Sequence, residues 1–133
     1  MANPNIINVT TLTGNTTYFT PTGATAVVLL ANAAASGLVY KINQIVCANV
    51  NGSSAVNATV SIYNNATVTT QGNAPSGGTA FPIISTISVP ASASVIAVDK
   101  TTAVYLMENS SIVVTSGTAS GITYTISYES IAS

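Results

Sequence analysis

Residues 94–130 read SVIAVDKTTAVYLMENSSIVVTSGTASGITYTISYES, and the alternation within them decides the fold class. Three short alternating runs, 95–98, 104–107 and 112–115, precede a cleaner one at 122–128. Between them lie Asp99-Lys100-Thr101-Thr102, Glu108-Asn109-Ser110 and the segment 117–121, all of turn-forming composition. A period of two broken by turns predicts a meander of antiparallel strands. Four of the five charged residues, Asp99, Lys100, Glu108 and Glu129, fall in this stretch and are expected to cap turns and mark solvated strand ends.

The same pattern extends upstream. Residues 81–89 read as a strand whose first residues lie on a sheet edge, because Pro82 has no N–H to give to a second neighbour. The preceding segment, 65–78 (NATVTTQGNAPSGG), is too polar and too rich in Gly, Asn and Pro for a core element; it reads as a long surface loop or a short edge hairpin through 67–70. Residues 38–50 (LVYKINQIVCANV) form the longest strand candidate. Their alternation changes phase near Asn43-Gln44, which predicts a β-bulge or a strand passing from one sheet to another. Asn51-Gly52-Ser53-Ser54 reads as a hairpin loop that returns 58–64 beside that strand. Residues 25–31 are apolar at successive positions, the mark of a strand covered on both faces. Before them, 6–10 and 16–20 read as two brief strands around Thr13-Gly14-Asn15.

No segment carries a helical stripe with caps. Roughly eight or nine short strands at 8 to 12 residue spacing predict an all-β fold, an antiparallel β-sandwich of jelly-roll-like or immunoglobulin-like form. The expected organisation is an N-terminal arm over residues 1–10 and a single sandwich domain over 11–133.

Composition then narrows the function. Hydrophobic residues make up 47% of the chain and charged residues 4%, with a net charge of −1, where a typical soluble domain carries roughly 25% charged residues. Little self-repulsion remains to hold copies apart, so the chain is expected to live in an assembly. Two basic residues, Lys41 and Lys100, cannot neutralise a run of phosphates, and nucleic-acid binding is not expected. The apolar run at 25–39 is interrupted by Asn32, Ser36 and Gly37, and no Lys or Arg precedes Lys41, so neither a membrane span nor a secretory signal is expected. The six Asn-x-Ser/Thr triplets are then composition alone.

Catalytic templates fare poorly. With no histidine, a serine nucleophile has only Lys41 or Lys100 for a base. Asp99, Glu108 and Glu129 could supply a glycosidase pair only by facing one cleft. Cys47, the one cysteine, sits among apolar residues and reads as a small buried hydrophobe. No catalytic, cofactor-binding or metal-binding residue is assigned, and no cofactor. Six tyrosines remain; Tyr124 and Tyr128 share a face with Ile122 and Ile126, a core stripe with hydroxyls reaching water, with an interface patch as the rival reading.

The succession Val39-Tyr40-Lys41-Ile42-Asn43-Gln44-Ile45, Cys47-Ala48-Asn49-Val50, Ala58-Thr59-Val60-Ser61-Ile62-Tyr63, Ile87-Ser88-Val89-Pro90-Ala91, Asp99-Lys100, Val104-Tyr105-Leu106 and Ser111-Ile112 resembles small virion structural proteins of tailed bacteriophages, especially those of cyanobacterial and marine phages. The likeness runs from Leu38 to the end. It implies a non-enzymatic β-sandwich component of the particle, foremost a capsid decoration or cement protein. That protein would form a homo-oligomer such as a trimer, bind the major capsid protein or another virion protein, and assemble in the cytoplasm of the bacterial host. The alternatives are a collar, tail, baseplate or fibre component, or a receptor- or glycan-binding module. The arm over residues 1–10 is expected to lie on a neighbouring subunit.

Overall fold

The computed structural model describes residues 5–133, whose regular structure is nine strands and one short 3-10 turn. In chain order these are β1 (Thr11–Phe19), β2 (Val27–Asn32), β3 (Val39–Asn49), β4 (Val56–Tyr63), β5 (Ala80–Val89), β6 (Ser94–Val98), the 3-10 turn Lys100–Thr102, β7 (Val104–Leu106), β8 (Ser110–Ser116) and β9 (Ile122–Ala132). One sheet has the order β1-β9-β3-β6, with β7 also on β3; the other has the order β2-β8-β4-β5. Set aside the three-residue β7, and the remaining strands pair first with last, second with second-last, third with sixth and fourth with fifth, all antiparallel. Nested pairing of this kind is one long antiparallel ribbon rolled on itself, and the ladders β3–β9 and β4–β8 close the roll. The fold is therefore a β-sandwich of jelly-roll connectivity, one of the two forms the strand pattern predicts.

That connectivity corrects two readings of the sequence. The strands of 94–130 lie where the alternation puts them, yet they are not a meander. β6, β7 and β9 belong to the first sheet and β8 to the second, so none of them pairs with its sequence neighbour. Likewise β4 does not return beside β3 but crosses to the facing sheet. The reason is shared: period-two alternation reports which face of a strand is buried, and both sheets of a sandwich bury one face. A third correction concerns the start of the chain. Instead of two strands around Thr13-Gly14-Asn15, a single β1 runs through all three residues in register with β9, Gly14 opposite Glu129 and Asn15 opposite Tyr128. A continuous ladder of backbone bonds outweighs the turn preference of Gly-Asn. Of the predicted arm, residues 1–4 lie outside the described residues, and 5–10 form an exposed turn joined to the domain by a bond from Thr10 N to the Ala132 carbonyl at 2.8 Å.

The phase change in β3 is a bulge. The β3–β9 register shifts between Ile42 and Gln44, so Ile42 and Ile45, three residues apart, both point into the core. Around them pack Leu29, Val60, Leu106, Ile112, Ile122, Tyr124 and Ile126, all essentially inaccessible. Each such aliphatic side chain contributes about 1.5–3 kcal/mol on leaving water.

Because the chain keeps crossing between sheets, its arches need polar staples. Asn49, buried at the end of β3, donates through Nδ2 to the carbonyls of Ser54 (3.0 Å) and Val89 (2.8 Å) while its Oδ1 accepts from Asn51 N (2.8 Å). Asn32, at the end of β2, donates to the carbonyls of Leu38 (2.9 Å) and Leu106 (3.1 Å). Each amide thus ties one sheet to the other. Buried amides are tolerable in an apolar core only when satisfied in this way.

Residues 64–79 carry no strand, as the composition predicts, and the alternative hairpin through 67–70 is not formed. The loop is nevertheless structural. It closes the flank where β1 and β2 leave the sandwich open: Gln71 Nε2 donates to Thr17 Oγ1 on β1 and to the Leu29 carbonyl on β2, both at 3.1 Å, and Val28 exchanges backbone bonds with Gly72 and Asn73 at 2.8 Å. Gly72 has φ +91°, and a Cβ there would fall 2.8 Å from the Phe19 ring. Val28 and Leu29 are both buried, so β2 is covered on two faces as its apolar run implies.

Candidate interaction surface

The opposite flank, between β5 and β6, has no such loop. β5 is an edge strand, as Pro82 foretells, and most of its ten residues are exposed. It faces β6, half its length, so its core-side residues overhang. Phe81 is 56% exposed and Ile87 41%. Two register shifts against β4 add bulges, and Thr86 adopts φ 47°, a strained conformation for a β-branched residue. Across the Pro90 turn, Ile96 on β6 is also 56% exposed. β7 continues the same edge of the first sheet, since β6 and β7 both pair with β3 there, and it adds exposed Tyr105 and, just beyond it, Met107. Bulges, proline and short strands blunt an edge against indiscriminate pairing, and apolar side chains remain exposed on it.

A second group of exposed apolar residues lies on the far side. Ile6, Ile7 and Val9 precede β1, and Leu12 and Tyr18 lie on it. β1 and β6 are opposite edges of one sheet. Neither β1, β5, β6, β7 nor residues 5–10 contain a charged side chain.

The charged residues lie beside these strands and only in part as predicted: Asp99 and Lys100 occupy the turn between β6 and β7, Lys41 is opposite Tyr105, and Glu108 follows Met107. Asp99 caps the 3-10 turn, its Oδ1 accepting from Thr101 N (2.8 Å), Thr101 Oγ1 (2.6 Å) and Thr102 N (3.1 Å). Those bonds, led by the one from the Thr101 side chain, hold the Asp99 carboxyl below the usual range. Glu129 is not at a strand end: it lies within β9 and accepts from Asn43 Nδ2 at 3.3 Å. Glu108 is not a solvated tip either, because both its carboxylate oxygens are buried without a hydrogen-bond partner. The three carboxylates thus occupy a turn cap, a loop and a sheet face.

Between β6 and β7 the chain leaves the edge of β3, just where β3 bulges at Asn43, and an open cleft of about 340 Å³ forms, lined by Asn43, Gln44, Lys100 and Ser127. Here a lysine and a serine from the considered serine–lysine template do meet. The Ser127 hydroxyl is paired with Thr16 Oγ1 at 3.1 Å, however, and Lys100 is exposed. The cleft thus presents amide, hydroxyl and ammonium groups able to hydrogen-bond. Among the described residues, no three His, Cys, Asp or Glu side chains converge on a metal position.

Cys47 is fully buried, as its neighbours imply, and burial pushes its thiol up to about 12. Tyr124 belongs to the core stripe with Ile122 and Ile126, but its hydroxyl does not reach water: it donates to the Thr115 carbonyl, and burial raises its pKa. Tyr128 is half-buried and packs on Tyr40, ring centroids 5.1 Å apart.

Strand patterning does not single out Phe81, Ile96 or Tyr105, which alternate as core residues do. The available signal for Phe81 and Ile96 is the absence of any charge between Lys41 and Asp99, and Tyr105 lies beyond that stretch. No family model matches the chain, and no curated protein and no solved structure matches it either.

Proposed function

We propose that the protein is a non-enzymatic structural component of a tailed-phage virion, a decoration protein that binds the head shell and associates with copies of itself. One observation carries the reading: a jelly roll whose edge strands β1, β5, β6 and β7 bear exposed apolar side chains and no charged residue. Contacts made by such edges rest on apolar burial and backbone bonds, which salt screens little. The resemblance of residues 38–133 to small virion proteins supplies the setting, and fold alone would not, since one sandwich serves many functions. Purified protein added to decoration-free heads should bind equally at low and high salt. Binding to tails only, or release from heads on modest salt addition, contradicts the proposal.

The cleft at Lys100 favours a second reading, a receptor- or glycan-binding module, because amide, hydroxyl and ammonium groups line a recess of sugar-accommodating size. A glycan array without a hit removes it.

A further inference from the structure

Asn51 alone among the asparagines of the chain precedes a glycine. The pair lies in the loop between β3 and β4, where both polar atoms of the Asn51 side chain are held. Its Oδ1 accepts from Ser53 N (2.9 Å), Ser53 Oγ (2.9 Å) and Ser54 N (3.3 Å), and its Nδ2 donates to Ser54 Oγ (3.1 Å). The Gly52 N–H, by contrast, makes no hydrogen bond among the described residues. Gly52 is exposed and has room around it: a Cβ there would meet only Ser92 Oγ, 3.9 Å away.

We propose that Asn51-Gly52 is a self-modifying site, at which the folded loop converts Asn51 to aspartate through a succinimide. The nucleophile is the Gly52 nitrogen, tethered beside Asn51 Cγ and unshielded because glycine has no side chain. It gives its proton to water or hydroxide and bonds to Cγ, and negative charge develops on Oδ1. The three donors already aimed at Oδ1 stabilise that charge as an oxyanion hole does. Nδ2 departs as ammonia with a proton from the Ser54 hydroxyl, which water restores, and the succinimide remains. Water then opens the ring. Attack at Cγ breaks the new Cγ–N bond and yields aspartate. Attack at the main-chain carbonyl breaks the original peptide bond and yields isoaspartate, with an extra methylene in the backbone. Over all steps one side-chain amide and one water become one carboxylate and one ammonium.

The fold directs the opening. The carbonyl at Cγ faces three donors, whereas the Asn51 main-chain carbonyl accepts one bond, from Ser92 N at 3.2 Å. Aspartate keeps the main-chain anchors, Asn51 N on Asn49 Oδ1 (2.8 Å) and the carbonyl on Ser92 N, and a carboxylate is held more strongly than an amide by the same donors. Isoaspartate would lengthen the chain between those anchors and Ser53. Either product adds one negative charge and so doubles the net charge of −1.

The test incubates the full chain in mildly alkaline buffer, folded and in urea, and follows the peptide holding Asn51 by mass spectrometry with fragmentation that separates aspartate from isoaspartate. In the folded chain Asn51 should convert ahead of every other asparagine and give chiefly aspartate; in urea the product should be chiefly isoaspartate. Gly52→Ala, which the open space accommodates, should all but stop the reaction in both states. Ser53→Ala removes one of the three donors and should slow the folded reaction about 2- to 10-fold, the worth of one hydrogen bond, without changing the rate in urea. Circular dichroism confirms that both variants are folded. An Asn51 that persists in the folded chain, an isoaspartate excess there, or a Ser53→Ala rate equal to that of the wild type overturns the proposal.

Discussion

Asn49→Ala should cost far more stability than its size suggests. The side chain makes three hydrogen bonds, and their environments differ. Ser54 and Asn51 lie in the loop after β3, at or near solvent, so their freed carbonyl and N–H can turn to water, a net loss of about 0.5–1 kcal/mol each. Val89, by contrast, is fully buried, and its carbonyl loses a donor at 2.8 Å that water cannot replace, about 1–3 kcal/mol. Together the loss is about 3 kcal/mol, or roughly 10 °C in Tm for a domain of this size. Urea unfolding at matched protein concentration should show a lower midpoint with an unchanged slope. Asn51→Ala, which removes only bonds within an exposed loop, should cost about 1 kcal/mol or less. Equal losses for the two variants, or less than about 1 kcal/mol for Asn49→Ala, would refute the account of the arches.

Further predictions follow from the closed flank and the titrating groups. Gly72→Ala places a methyl group against the Phe19 ring at a φ of +91°, which should cost about 1–3 kcal/mol and speed hydrogen exchange at the Val28 amide, bonded to Asn73. Cys47 is raised on folding from 9.0 to about 12 by burial, so its contribution is complete below pH 9 and is lost as pH climbs through 12. The full loss is about 4 kcal/mol, and raised Tyr124 adds in the same direction, so unfolding free energy should fall steeply above about pH 9. Asp99 is depressed on folding and acts the other way: its capping bonds persist above the unfolded-state pKa and are lost as pH falls through the folded one. Asp99→Ala should therefore abolish acid-dependent exchange at the Thr101 and Thr102 amides. With no histidine, stability between about pH 5 and 8 should be nearly flat.

Much of the fold is legible from alternation, and what escapes it has a physical cause. The bulge at Asn43 shows as a phase change because core packing demands Ile42 and Ile45 on one side. The edge position of β5 shows in Pro82, and the double cover of β2 in Val28-Leu29. Partner choice is different. Alternation in β8 and β9 looks the same whether they pair with each other or, as here, with β4 and β3, so it predicts a sandwich of jelly-roll-like or immunoglobulin-like form without fixing which strands pair. The stapling asparagines, Asn32 and Asn49, resemble ordinary strand-end residues until the arches bring carbonyls from the other sheet to them. The exposed apolar side chains are hidden for a related reason: Phe81 is patterned like a core residue and overhangs the short β6, while Ile96, opposite Val46, lies on the outward face of β6.

The central claim, a structural component of the virion head, is tested most directly by a reconstruction of the particle. The account predicts density for this jelly roll on the outer head shell. Density for the chain in the tail, or its absence from the purified particle, would contradict it.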